Sequence, residues 1–324
     1  MQRVVENILQ SKAPAMVFLR YILVGLTMLM GIARLRIILI LLVSPATYPE
    51  RDILQEYLMA KALISRVNPY LPVNILAQMY FDKSSVLSHP APYPPLTAIL
   101  SIPLTWLSLN EAIVTWFILE MLCLIAISCM ITILWKGRVD WIRAIFILFL
   151  LLAWYPVMVD LLFGQLTILL TTLLLAALLL IRQNKKVLAG AFIGLSIAIK
   201  LFTWPLIIYF AYKKDWRLLI SSCLSAFALN LLALIVMGIN PFMDYYLNVM
   251  MQVSEIYHSF LKNYSLWSIG YRLFDGTRPI GEDFISAPPL ISLPKLAPLV
   301  SAGLAASFLL LGLIWAKRSK NVAI

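Results

Sequence analysis

Long apolar runs, separated by short polar and basic intervals, fill the chain from about Val17 to Trp315. Runs close to the roughly 20 residues that cross a bilayer predict membrane helices. They fall at Tyr21 to Val43, Ala112 to Trp135, Ile145 to Asp160, Leu166 to Ile181 and Leu218 to Met237, with a last one ending before Lys317. The segment Val187 to Tyr212 carries Lys200 at its middle. A charge at the bilayer centre costs at least about 2.5 to 3.5 kcal/mol on insertion scales, so two short spans meeting at Lys200 are expected in place of one. The pattern predicts an all-α, polytopic helical bundle of about eight spans forming a single membrane domain over 1–324, with outer loops at 44–110 and 238–289.

The interval Arg51 to Leu107 breaks the pattern, because polar residues collect there. From Asp52, the apolar positions Ile53, Leu54, Tyr57, Leu58, Ala60 and Ile64 recur at helical spacing, which predicts an amphipathic helix on the membrane surface. Leu96 to Leu107 is short and contains Pro103, so it reads as a second surface helix. Asn68-Pro69 is a turn signal, and the stretch up to Tyr93-Pro94-Pro95 reads as a polar loop.

Basic residues gather at Lys136 to Arg143, Arg182 to Lys186, Lys213 to Arg217 and Lys317 to Lys320. By the positive-inside rule these intervals, together with Arg3, Lys12 and Arg20, are cytoplasmic, as are both termini. Arg34 and Arg36 interrupt the first span, either snorkelling to its outer end or facing a polar cavity. With 62% hydrophobic and 13% charged residues, the chain leaves no room for a separate soluble domain. The formal charge of +11 is spread over short clusters and forms no single face, so nucleic acid is not an expected partner. Cys123, Cys129 and Cys223 lie in apolar runs without ligands at metal spacing. The first span reads as a retained signal anchor. Gly190 and Gly194, in an Ala-Gly-x-x-x-Gly setting, predict close backbone packing of two helices.

The polar outer positions are Asp52, Tyr57, Asn68, Tyr70, Tyr93, Gln165, Lys200, His258, Asn263 and Arg272. Their order resembles glycosyltransferase family 87, mannosyltransferase-like membrane enzymes of GT-C architecture. The resemblance rests on Asp52 with Tyr57 and Ala60, Asn68-Pro69-Tyr70, Tyr93-Pro94-Pro95 with Pro103, Gly164-Gln165, Ala189-Gly190 to Lys200, and Asn263-Tyr264-Ser265-Leu266 followed by Arg272. It implies a polyprenyl-phosphate sugar as donor, a lipid or glycan as acceptor, and an acidic residue of the first outer loop, here Asp52, as catalytic base.

The chemistry agrees with that assignment. Single displacement at an anomeric carbon needs one carboxylate to take the acceptor's proton and one cation to receive the leaving phosphate. Glu56 stands one helical turn from Asp52, so a second, nucleophilic carboxylate is not excluded by spacing. Asp52 is otherwise a helix-start carboxylate on the dipole, and Glu50 and Glu56 are its nearest substitutes. Lys200 suits a lipid phosphate, with Arg272 as the alternative. Gln165 either bonds sugar hydroxyls or caps the following helix. Tyr57, Tyr70 and Tyr93 either stack on a sugar or anchor at the interface. His258 is a candidate proton carrier, and Asn68 and Asn263 are candidate sugar contacts.

The expected function is transfer of a hexose, mannose by the resemblance, at the outer face of a bacterial plasma membrane, with membrane lipids around it and no cofactor. No Gly-rich nucleotide loop or Asp-x-Asp motif occurs, so metal independence is expected. Two rivals stand beside it: a transporter or flippase of a polyprenyl-linked sugar, supported by the intramembrane acids Glu120 and Asp160, and a non-catalytic assembly subunit.

Overall fold

The computed structural model describes residues 14–42, 44, 51–81, 87–261, 263–279 and 286–318. Arg3, Glu6, Lys12, Glu50 and Lys320 lie outside the described residues. The helices in chain order begin with α1 (Pro14–Leu42), α2 (Asp52–Ile64), α3 (Val73–Phe81), α4 (Pro95–Leu100) and α5 (Leu109–Lys136). They continue with α6 (Trp141–Ala153), α7 (Tyr155–Phe163), α8 (Thr167–Arg182), α9 (Lys186–Ile199) and α10 (Pro205–Lys213). The last are α11 (Trp216–Met237), α12 (Ile239–Asp244), α13 (Met250–His258), α14 (Leu266–Phe274) and α15 (Ala297–Arg318). By contacts the chain divides into two units, Met1–Ile53 with Ile113–Leu175, and Leu54–Ala112 with Ala176–Ile324.

Among the described residues, four helices are long and apolar enough to cross a membrane: Tyr21–Leu42 within α1, α5, α11, and Pro294–Trp315. The predicted span from Ile145 to Asp160 is not one straight helix. It breaks at Trp154 into α6 and α7, bent by 76°, and counting that pair as one span gives five. Pro156 explains the break, since it has no N–H for the carbonyl of Leu152 and its ring crowds that carbonyl. Helices α8 and α9, of 16 and 14 residues, are shorter than a full span, so an eight-span count does not follow.

In the first unit α1 packs along α6 and α7. Gly31 permits the approach, because a Cβ there would stand 2.8 Å from the carbonyl oxygen of Phe149. Arg34 is held by α7, its guanidinium 5.7 Å from the Tyr155 ring centroid.

In the second unit the closest pair is α9 and α11. The expectation for Gly190 and Gly194 holds: a Cβ on Gly190 would meet Ser221 Oγ at 1.8 Å, and one on Gly194 the carbonyl oxygen of Ser222 at 2.5 Å. Ser225 Oγ donates across the seam to the carbonyl of Ala191 at 3.0 Å. Small residues thus bring two backbones together and supply a hydrogen bond where apolar surroundings give no hydrophobic driving force.

Three local expectations need correction. Helix α2 is not a surface helix with one wet face: every residue from Ile53 to Ala60 is buried, Gln55 and Glu56 included. The intended surface helix from Leu96 has its first turn, Pro95 to Ala98, in the interior, followed by a 3₁₀ turn at Ile102–Trp106 that takes in Pro103. The expected polar loop contains α3, whose start is pinned by Val73 and Asn74 N–H groups donating to the carbonyls of His89 and Leu87. The second outer loop also contains helices: α12, a π-helical turn at Tyr245–Val249, α13 and α14.

Candidate active site

Asp52 is the first residue of α2, where its carboxylate faces the positive end of the helix dipole. Its Oδ2 accepts a hydrogen bond from Gln165 Nε2 at 2.8 Å, within the first unit. The turn that delivers Gln165 is made by Gly164, which ends α7 at φ +68°. The N–H groups of Gly164 and Gln165 both donate to the carbonyl of Asp160, at 2.8 and 3.1 Å. A Cβ on Gly164 would lie 2.9 Å from Ile53 Cβ and 3.1 Å from Trp116 Cδ1. Glycine therefore serves twice, once for its left-handed backbone and once for letting the turn close on the start of α2. An amide donor fixes the carboxylate's orientation without consuming its charge. Gln165 thus orients Asp52, a role that neither the sugar-contact nor the capping reading anticipates.

Asp52 is partly exposed, whereas Glu56, one turn along, is 1% exposed. Of the two carboxylates, Asp52 is the one a substrate can reach. Glu120 is also buried at 1%.

The second unit holds the other eight positions. Lys200 ends α9, its backbone turning to an extended conformation, and its ammonium lies 5.9 Å from the Tyr93 ring centroid. Thr97 Oγ1 of α4 donates to the carbonyl of Ile199 at 3.1 Å, and Ser196 and Thr203 hydroxyls meet at 3.0 Å, so the helix break around Lys200 is held from both sides.

Asn68-Pro69-Tyr70 is a folded connector. Asn68 Oδ1 accepts from the Tyr70 N–H at 3.0 Å, Asn68 Nδ2 donates to Asp244 Oδ2 at 3.1 Å, and the Tyr70 hydroxyl donates to the Tyr93 carbonyl at 3.0 Å. Burial raises the Tyr70 phenol well above its ordinary range, and Tyr245, Tyr246 and Asp244 add to it, so this hydroxyl stays a neutral donor. The Tyr57 hydroxyl donates to the Leu107 carbonyl at 2.7 Å, and its ring stacks on Phe81. Tyr57, Tyr70 and Tyr93 are 1%, 3% and 4% exposed. Their rings are scaffold, then, and offer no open face to a sugar or a membrane interface.

His258, Asn263 and Arg272 gather around the entry to α14. Asn263 Nδ2 donates to the Tyr257 carbonyl at 2.9 Å, and its Oδ1 accepts from the Ser265 N–H at 3.0 Å. Arg272 Nη2 donates to the carbonyls of Leu261 and Asn263, and its guanidinium covers the Tyr264 ring at 5.0 Å. Arg272 is thereby engaged in holding the loop, which weakens its claim on a phosphate relative to Lys200. The His258 ring lies 3.7 Å from that of Tyr271, and burial lowers its pKa from the usual histidine value.

Two residues were not singled out from sequence. His89 is 3% exposed; its Nδ1–H donates to the Pro90 carbonyl at 2.8 Å, leaving Nε2 to accept from the Tyr257 hydroxyl at 2.7 Å. Asp244 joins Asn68 to Asn248, whose Nδ2 donates to Asp244 Oδ1 at 2.8 Å. A histidine beside a proline is a faint signal for the first; the second gives none, since 176 residues separate Asp244 from Asn68.

No curated protein and no solved structure matches the chain. A family model for glycosyltransferase family 87 matches residues 92–324, taking in Tyr93, Gln165, Lys200, His258, Asn263 and Arg272 and beginning after Asp52, Tyr57, Asn68 and Tyr70. With that match covering most of its length and several helices apolar enough to span a bilayer, the chain belongs to glycosyltransferase family 87 and is a membrane glycosyltransferase.

Proposed function

We propose that this glycosyltransferase moves a hexose, mannose in the first instance, from a polyprenyl-phosphate carrier to a hydroxyl of a lipid or glycan acceptor at the outer face of a bacterial plasma membrane. The observation that supports it most is Asp52, a partly exposed carboxylate at a helix start, oriented by Gln165 at 2.8 Å. In the proposed step the acceptor oxygen attacks the anomeric carbon as its proton passes to the Asp52 carboxylate. The bond from that carbon to the phosphate oxygen breaks, and the polyprenyl phosphate leaves with the electron pair. One displacement inverts the anomeric centre, and the proton taken by Asp52 is returned to solvent or to the departing phosphate.

A leaving phosphate needs a positive partner, and Lys200 is the residue proposed for it. Its backbone is fixed by the end of α9, and a lysine is a compact charge suited to phosphate oxygens. Donor lipid tails would enter from the bilayer, so no nucleotide-binding element is required.

The test is sugar transfer in membranes given radiolabelled polyprenyl-phosphate mannose, comparing wild type with Asp52→Asn at equal expression. General-base catalysis contributes about 10²- to 10⁴-fold, so the variant is expected to lose that much transfer while still binding donor. Equal transfer in both would remove Asp52 from the mechanism and pass the role to Glu56 or His258.

A further inference from the structure

Within the second unit a cavity of about 780 Å³ opens where α11 ends. One part of its wall is apolar, formed by Leu63 of α2, Ile235 and Met237 at the last turn of α11, and Met243 and Leu247 beyond. The other part is polar, formed by Arg66, Asn68, Asn240, Asp244 and Asn248. The chain builds this wall by two sharp turns. Arg66, at φ +57°, reverses the chain after α2 and leads into Asn68, and Gly238, at φ +85°, separates α11 from α12 and brings Asn240 and Asp244 round.

The charges in the wall, one guanidinium and one carboxylate, cancel. Three amides stand between them. Asp244 is already fixed by the Asn68 and Asn248 amides, whereas the side chains of Arg66 and Asn240 make no hydrogen bond to any described residue. A wall that both donates and accepts, with no net charge, matches a group whose atoms also do both. Sugar hydroxyls have that character; a phosphate monoester only accepts and would meet the Asp244 carboxylate. The cavity is large for a single sugar ring and falls in the size range of small-molecule sites, so the apolar wall has room for part of a chain. Its apolar side is continuous with the end of a helix long enough to span a membrane.

We infer that this cavity binds the uncharged, polyhydroxylated head of an amphiphile, with its alkyl chain on the Ile235–Met237 side. Given the transferase reading, this ligand is the acceptor, a glycolipid-like molecule and not a soluble glycan.

The test uses the full chain in lipid nanodiscs and an octyl mannoside carrying a diazirine in its alkyl chain, so that binding is read without transfer. Photolysis is expected to label residues between Ile235 and Leu247, with displacement by unlabelled octyl glucoside and not by octyl phosphate. Asn240 is exposed, so Asn240→Trp fills the cavity without touching a buried contact, and labelling should fall about tenfold, the loss expected for 1.4 kcal/mol. Asn240→Ala, which removes the amide and leaves the space, should lower it about threefold, one neutral hydrogen bond's worth. Labelling unchanged in both variants, displaced equally by octyl phosphate, or spread evenly over lipid-facing α5 and α15 would overturn the inference. Loss of transfer in every acceptor trial with labelling intact would instead count against the transferase mechanism and leave the cavity's ligand class standing.

Discussion

Replacing Gly164 with alanine adds one methyl group at the point where the turn after α7 meets the start of α2. Two costs follow. The residue sits at φ +68°, a conformation costing a residue with a Cβ about 1–2 kcal/mol. The new carbon would also stand 2.9 Å from Ile53 Cβ and 3.1 Å from Trp116 Cδ1, so the turn must retreat by roughly 0.5 Å to restore ordinary contact. Overpacking of this kind costs about 1–3 kcal/mol, giving a total near 2–5 kcal/mol. The retreat carries Gln165 away from Asp52, which it now meets at 2.8 Å. Misplacement of catalytic groups by about an ångström lowers rates up to about 10²-fold, so activity should fall further than the folded fraction does. The control is Gly137→Ala: φ +74° with nothing within 4 Å, so it carries the backbone cost alone. Thermal unfolding in detergent and the transfer rate, measured on both variants, separate the two terms. A Gly164→Ala protein with the stability of Gly137→Ala and wild-type transfer would refute the account of why glycine stands there.

Three further outcomes are expected. Gly194→Ala should cost about 1–3 kcal/mol and loosen the α9–α11 seam, because the carbonyl oxygen 2.5 Å from the new Cβ belongs to backbone and cannot rotate away; cysteine cross-linking across the two helices would report the change. Thr97→Val keeps the shape and removes the hydroxyl that caps the Ile199 carbonyl, costing about 1 kcal/mol in thermal unfolding. His258 is held below its ordinary pKa by burial, with Arg278 acting in the same direction, so the unfolded chain takes up this proton at a higher pH than the native one. Stability from this group is therefore complete above about pH 6.5 and is lost as pH falls from there through the lower native pKa, and His258→Gln should flatten that part of a stability-against-pH curve.

The long apolar helices were legible because a span needs only length and hydropathy, which α1, α5, α11 and α15 carry in their own residues. The break at Lys200 was legible for a related reason, the cost of a charge in the middle of an apolar run. Helix α2 was misjudged because its Gln55 and Glu56 look like a wet face, and only tertiary packing reveals that they are enclosed. Gly164-Gln165 was readable as a turn. That its amide reaches a carboxylate 113 residues away was not, since nothing in a local pattern encodes a distant partner. The tyrosines show the converse: Tyr57, Tyr70 and Tyr93 have the composition of a ligand platform, and their hydroxyls are spent on carbonyls of Leu107, Tyr93 and, through LEU-rich surroundings, the interior.

The π-helical turn at Tyr245–Val249 joins α12 to α13 without a break and holds one more residue than an α-helical turn would. Downstream of it, Tyr257 faces His89 and Asn263 is tied to the Tyr257 carbonyl. Each α-helical residue turns the chain by about 100°, so deleting a single residue from the turn would rotate everything after it by that angle and point Tyr257 elsewhere. Phase, set by how many residues are counted before it, matters in this stretch as much as identity: substitutions are absorbed side chain by side chain, whereas a one-residue gap is felt by the whole segment that follows.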